Sequence, residues 1–156
     1  MFLYIPSYIT SIDGHAKVYA DQVTSISVLS GNTKYYAEDG VLFSKNYYGD
    51  KVIEWYPEGR GGTEYTIPRD TKYIEQFAFQ RCNLEKLYVY AGIEKVDMSW
   101  AFSSAESLET IYFYGTEEQF NNTVFNVYEG VEVIRLDDPD APLVDDGVFD
   151  ATNATV

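Results

Sequence analysis

Two neighbouring stretches of the chain carry the same residue types in the same order, and this repetition limits the fold more than any other feature of the sequence. Residues 65–89 read YTIPRDTKYIEQFAFQRCNLEKLYV, and residues 91–113 follow with AGIEKVDMSWAFSSAESLETIYF. Ile67, Thr71, Ile74, Ala78, Phe79, Cys82, Leu84, Leu87 and Val89 correspond to Val89, Ile93, Val96, Ala101, Phe102, Ala105, Leu108, Ile111 and Phe113. Val89 closes one copy and opens the next. A weaker copy over residues 5–28 keeps Ile5, Ile9, Ile12, Ala16, Ala20, Val23, Ile26 and Val28, but has Lys17 where the others have phenylalanine. A period of roughly 20 to 30 residues marks a repeat architecture, in which no single unit can bury its own apolar edge.

Inside each copy, Leu-x-x-Leu-x-Val alternates apolar and polar residues as a half-buried strand does, and the Ala-Phe pair before it reads as a helical or 3₁₀ turn. The predicted fold is therefore a β-rich α/β solenoid of short parallel strands and tight turns, forming one domain over residues 1–137. Residues 31–62 break the period. Asp39-Gly40 and the Asn46 to Asp50 stretch are turn formers, and Val41, Phe43, Val52, Ile53 and Trp55 lie in two apolar runs, which predicts an inserted β-hairpin. Gly59 to Gly62 would form a flexible return.

The segment 115–136 reads as an end cap. Thr116 and Gln119 form a capping-box pattern that should open a helix running to about Val127, followed by a strand from Val131 to Leu136. From about Asp138 to residue 156 the chain is acidic, contains two prolines and has no usable period, so it is expected to be mobile.

The formal net charge is −14. A surface this acidic repels phosphate backbones and anionic lipid, so nucleic acid and membrane insertion are excluded as expected partners. Cys82 is the only cysteine, which rules out an internal disulfide and a thiolate metal site. Residues 1–14 have neither the positive region nor the apolar run of a secretory signal or a membrane span.

Candidate chemistry is sparse. His15 is the lone histidine and lies beside Asp13 in a polar turn without a nucleophile or a ligand cluster, so it reads as a turn residue. Cys82 holds the small buried slot that Ala105 holds one repeat later, and so reads as core. Adjacent carboxylates at Glu117 and Glu118, Asp137 and Asp138, and Asp145 and Asp146 point apart or fall in the tail, unlike a glycosidase pair. The tail lacks the spacing of a calcium loop, and Gly59-Arg60-Gly61-Gly62 lacks the lysine and helix of a phosphate loop. Asn121-Asn122-Thr123 and Asn153-Ala154-Thr155 match a glycosylation sequon that is frequent by chance. No catalytic residue, metal or cofactor is expected.

The fifteen tyrosines supply the one candidate site. With Leu87 and Val89 pointing inward, alternation turns Tyr88 outward, together with Tyr4, Ser27, Thr66 and Tyr112 at equivalent positions. Strands spaced about 4.8 Å apart would place Tyr88 beside Tyr112, with Tyr90 and Tyr114 extending the patch. Such a surface suits sugar rings and peptide backbones. Equally, cross-strand tyrosines can serve the sheet alone, at roughly 0.2 to 1 kcal/mol per pair.

The motifs together resemble the BspA-like leucine-rich repeat family. Ile67-Pro68, Ile74, Ala78-Phe79, Cys82 and Leu84 to Val89 fit its repeat. Residues 39–43, Tyr56-Pro57 and the exit Gly115-Thr116-Glu117-Glu118-Gln119 resemble its habitual insertion and terminal segment. The resemblance covers roughly Ile5 to Leu136. It departs at Lys17 and in its low copy number. It implies a non-enzymatic bacterial protein, secreted or surface-attached, that adheres to a protein or glycan. The rival expectation is a structural subunit of a cell-wall or phage assembly, with self-association.

Overall fold

The computed structural model describes residues 1–17 and 20–140. Its central feature is a four-stranded, all-parallel sheet in the order β12-β10-β8-β6, formed by β6 (Glu64–Thr66), β8 (Lys86–Tyr90), β10 (Thr110–Tyr114) and β12 (Glu132–Leu136). The register is exact across the repeats: Leu87 pairs with Ile111 and Ile111 with Val133. Leu87, Val89, Ile111 and Phe113 are fully buried, while the residues between them are only partly covered. The strand alternation read from the sequence is thus what sorts one face into the core.

The turn side of the repeats stacks as well. Phe77 N donates to Trp100 O, Phe79 N to Ala101 O and Arg81 N to Ser103 O, so the Ala-Phe turn of one repeat lies on that of the next. The Phe79 and Phe102 rings are 4.7 Å apart and nearly parallel at 3°. In the later repeat this turn closes as α1 (Met98–Ala101), capped by the Asp97 side chain, which accepts from Ser99 N. In the first copy it is a 3₁₀ turn, Gly14–Lys17. Cys82 and Ala105 are both buried in the equivalent small slot.

Four sequence expectations need correction. The insertion is larger than a hairpin: β3 (Tyr35–Glu38), β4 (Val41–Lys45) and β5 (Lys51–Trp55) form an antiparallel meander, and β5 then runs parallel to β7 (Thr71–Ile74). Its end also joins the repeat stack. Tyr56 N donates to Ala78 O, and the Tyr56 ring stacks on Phe79 at 5.4 Å. The sequence places Tyr56-Pro57 in the insertion and gives no sign that the ring joins the repeat stack, because one aromatic without the preceding alanine does not match the repeat.

Second, the capping box of α2 (Glu117–Asn122) is present as read, but the helix ends at Asn122 rather than near Val127. β-Branched Thr123 and Val124 take up extended backbone, and β11 (Val124–Asn126) pairs in parallel with β9 (Lys95–Asp97). The pairing builds a small second sheet behind the core.

Third, among the described residues β1 (Phe2–Ile5) and β2 (Ser25–Val28) pair only with each other and form a sheet of their own. The meander packs against β2, where Ile26 N donates to Gly40 O. Ile5, Val23 and Ile26 of the first repeat join Tyr35, Leu42 and Trp55 of the meander in one core cluster, separate from the larger cluster, which the later repeats share with Val41, Phe43 and Ile53 of the meander.

Fourth, the acidic segment is held where it begins. Arg69 pairs with Asp138 through both guanidinium nitrogens, Nη2 lying 2.6 Å from Oδ1, and with Asp140 at 3.4 Å. The tail expected over residues 141–156 lies outside the described residues.

Candidate functional site

The outward residues of the central sheet assemble into one aromatic surface. Thr66, Tyr88, Tyr112 and Ile134 are register partners along one row, and Tyr90, Tyr114 and Leu136 along the next. The Tyr88 and Tyr112 rings stack at 4.9 Å and 14°, Tyr90 and Tyr114 at 5.1 Å and 26°, and Tyr88 and Tyr114 at 6.1 Å. The strand spacing sets these distances, because equal rotamers on neighbouring in-register strands place ring over ring.

Tyr4 is not part of this row. It sits on β1 opposite Ser27, and its side chain is exposed. The separate β1-β2 sheet removes both residues from the surface that alternation alone had assigned to them.

Stacking determines what the row presents. Ring faces cover one another, leaving aromatic edges and hydroxyls toward solvent. One end face is also covered: the Arg69 guanidinium lies 4.3 Å from the Tyr90 ring centroid, in cation–π geometry. On the same β6 side, Lys86 pairs with Glu64 at 2.8 Å, and the Tyr88 hydroxyl donates to the same carboxylate at 3.4 Å. Partial burial and the Glu64 charge raise the Tyr88 pKa above the ordinary tyrosine value, so the hydroxyl stays a donor at neutral pH. The surface offers apolar edge, hydroxyl donors and acceptors, and mixed charge at its rim.

The remaining candidates are ordinary in their placement. His15 is exposed and its Nδ1 lies 2.9 Å from Asp13 Oδ1. Burial pushes the Cys82 thiol up to about 11, which disfavours a thiolate at neutral pH. Glu117 and Glu118 stand exposed in the first turn of α2, and Asp137 pairs with Arg135 at 2.7 Å. Asn122 ends α2, and Thr123 Oγ1 donates to Gln119 O. Asp145, Asp146 and the Asn153 sequon lie outside the described residues. Among the described residues, no group of three or more His, Cys, Asp or Glu side chains converges as a metal ion requires. No helix among them is long and apolar enough to cross a membrane.

Sequence reasoning missed two residues near the sites. Arg69 gave no signal, since its partners arrive from beyond β12. Lys17 was seen only as a departure from the repeat, and the structure buries it.

Comparison with known proteins bears on the fold. No curated protein matches the chain. Among solved structures, the pneumococcal vaccine antigen PcpA is similar at 14% identity and TM-score 0.51, with 86% of this chain and 45% of that one covered. A leucine-rich cell surface protein from Faecalibacterium prausnitzii aligns at 19% identity and TM-score 0.49, covering 81% of this chain and 51% of that one. A leucine-rich repeat protein from Eubacterium ventriosum aligns at 20% identity and TM-score 0.40, covering 81% and 48%. The chain thus spans about half the length of the solved proteins it matches. The model of the BspA-type leucine-rich repeat region (6 copies) matches residues 60–154, more than half of the chain and including both clear repeats. This strand-rich repeat protein therefore belongs to the BspA-type leucine-rich repeat family.

Proposed function

We propose that the chain is a non-catalytic recognition module of a secreted or cell-surface bacterial protein, a short right-handed solenoid that binds a protein or glycan through its tyrosine-bearing sheet face. The observation that carries this reading is the ordered stack of Tyr88, Tyr112, Tyr90 and Tyr114 on a face that, among the described residues, carries no second layer of strands or helices. Aromatic edges with hydroxyl tips give much contact area for little loss of side-chain entropy. Membership in the BspA-type leucine-rich repeat family supports a repeat module without identifying a ligand.

The test is a binding screen of the purified chain against glycan arrays and extracellular-matrix proteins, with the double variant Tyr88→Ser, Tyr112→Ser alongside. The reading expects a saturable partner whose binding the folded double variant loses; a partner bound equally well by both proteins would overturn it.

A second reading, a structural subunit of a larger assembly, is favoured by the edge of β1 that is unpaired among the described residues and by the exposed Met1, Phe2 and Tyr4 around it. An unpaired strand edge is a template for another chain. That reading expects concentration-dependent growth in light scattering; a monomer at all concentrations counts against self-assembly.

A further inference from the structure

Lys17 occupies, in the first repeat, the slot filled by Phe79 and Phe102 later, and it is only 5% exposed. Its ammonium donates to Glu54 O at 2.7 Å and, at the long end of the range, to Gln76 O at 3.5 Å. An ammonium has three N–H groups, so one is left without an acceptor among the described residues. Burial holds its pKa below the ordinary lysine value, although Glu54 and Glu75 pull the other way.

Lys17 lines a cavity of about 400 Å³ with Asp13, His15, Glu54, Glu75 and Phe77 among its walls. That volume lies in the range of about 300 to 1,000 Å³ typical of small-molecule sites. The cavity is built from departures from the repeat. Phe77 has left-handed backbone at φ +62°, which its counterpart Trp100 does not share. Non-glycine residues hold that conformation only where their surroundings enforce it. Gly14 makes room for the Phe77 ring, since a Cβ there would stand 2.6 Å from Phe77 Cδ2.

The lining selects a ligand class. Glu54 accepts from Ser44 through Oε1, Glu75 from Gln76 N through Oε1, and Asp13 from His15 through Oδ1, leaving the second oxygen of each carboxylate as an acceptor. Three carboxylates repel an anion, and the donor left on the buried ammonium needs an acceptor, which a bare cation does not offer. A neutral ring whose hydroxyls both donate and accept satisfies the lysine and the carboxylates together, and its C–H face can lie on Phe77.

We propose that this cavity is a saccharide subsite that takes one neutral hexopyranose unit, separate from the tyrosine row and independent of the function proposed for it.

Ligand-observed NMR titration of the full chain tests this, with the methyl glycosides of glucose, galactose, mannose and N-acetylglucosamine as probes. Saturable binding of at least one is expected, weakened about tenfold, or 1.4 kcal/mol, by Glu75→Ala. Glu75 is exposed, so this variant keeps the fold; Lys17→Met, which restores an apolar side chain to the repeat slot, should weaken binding to a similar degree. Tyr88→Ser with Tyr112→Ser should leave it unchanged. No saturable binding of any of the four probes overturns the proposal, as does binding that survives Glu75→Ala or that is lost with the tyrosines instead.

Discussion

Leu87 and Ile111 show how much one side chain carries in a stack of repeats. Each is fully buried in the register-paired centre of the main sheet, so Leu87→Ala should cost about 3 kcal/mol, the middle of the range for a buried leucine, in urea denaturation. Trp100→Ala, at a 57% exposed position, should cost less than about 1 kcal/mol by the same measurement. Cys82 makes a pH-dependent prediction. Its thiol ordinarily titrates at 9.0 and burial moves it to about 11. Between those values the unfolded chain gives up the proton while the folded chain keeps it, so stability falls as pH rises. Cys82→Ala, which copies Ala105, should remove that part of the fall when the two proteins are unfolded in parallel across the window. Lys17 has the opposite sign. Its folded pKa lies below the ordinary 10.5, so just under that value the unfolded chain binds more protons, and stability rises with pH. Lys17→Met should flatten that rise. The burial of Cys82 could be read from the sequence because its slot repeats as Ala105; the burial of Lys17 could not, because nothing local shows that Glu54 O and Gln76 O come within reach.

At the level of elements, legibility follows locality. The strands β8 and β10 and the capping box of α2 depend on residues within a few positions of one another, and the sequence displays them. Thr116→Ala should therefore cost about 1 kcal/mol, seen as loss of amide protection in the first turn of α2 by hydrogen exchange. The end of α2 was misjudged because β11 is defined by its partner β9, twenty-nine residues earlier in register from Asn126 to Asp97, and three residues of strand have little pattern of their own. The meander was underestimated for the same reason: β3 reads as polar and aromatic, Tyr35 to Glu38, and becomes a strand by pairing with β4. The tyrosine row was legible in its neighbours and illegible in its extent. Alternation gave Tyr88 and Tyr112 their common direction, but only the separation of β1 and β2 from the main sheet excludes Tyr4.

For the whole molecule, two apolar clusters rather than one mean that stability is unevenly distributed. The smaller cluster takes Ile5 and Ile26 from a two-stranded sheet in which β1 has one edge unpaired among the described residues, and the rest largely from the meander, whereas β8 and β10 are flanked on both sides. Hydrogen exchange should therefore find the amides of β8 and β10 slowest and those of β1 much faster; equal protection in both would mean that the clusters unfold as one unit. The Arg69 pair with Asp138 acts at this scale too. Arg69 follows β6 and Asp138 follows β12, the two outer strands of the main sheet, which lie three strand spacings apart, roughly 14 Å along the sheet. The pair is therefore a chord drawn between the two ends of an arc. A chord resists the opening of its arc, so the pair adds one restraint that dissolved salt can loosen to a bend otherwise built by strand register and turn hydrogen bonds.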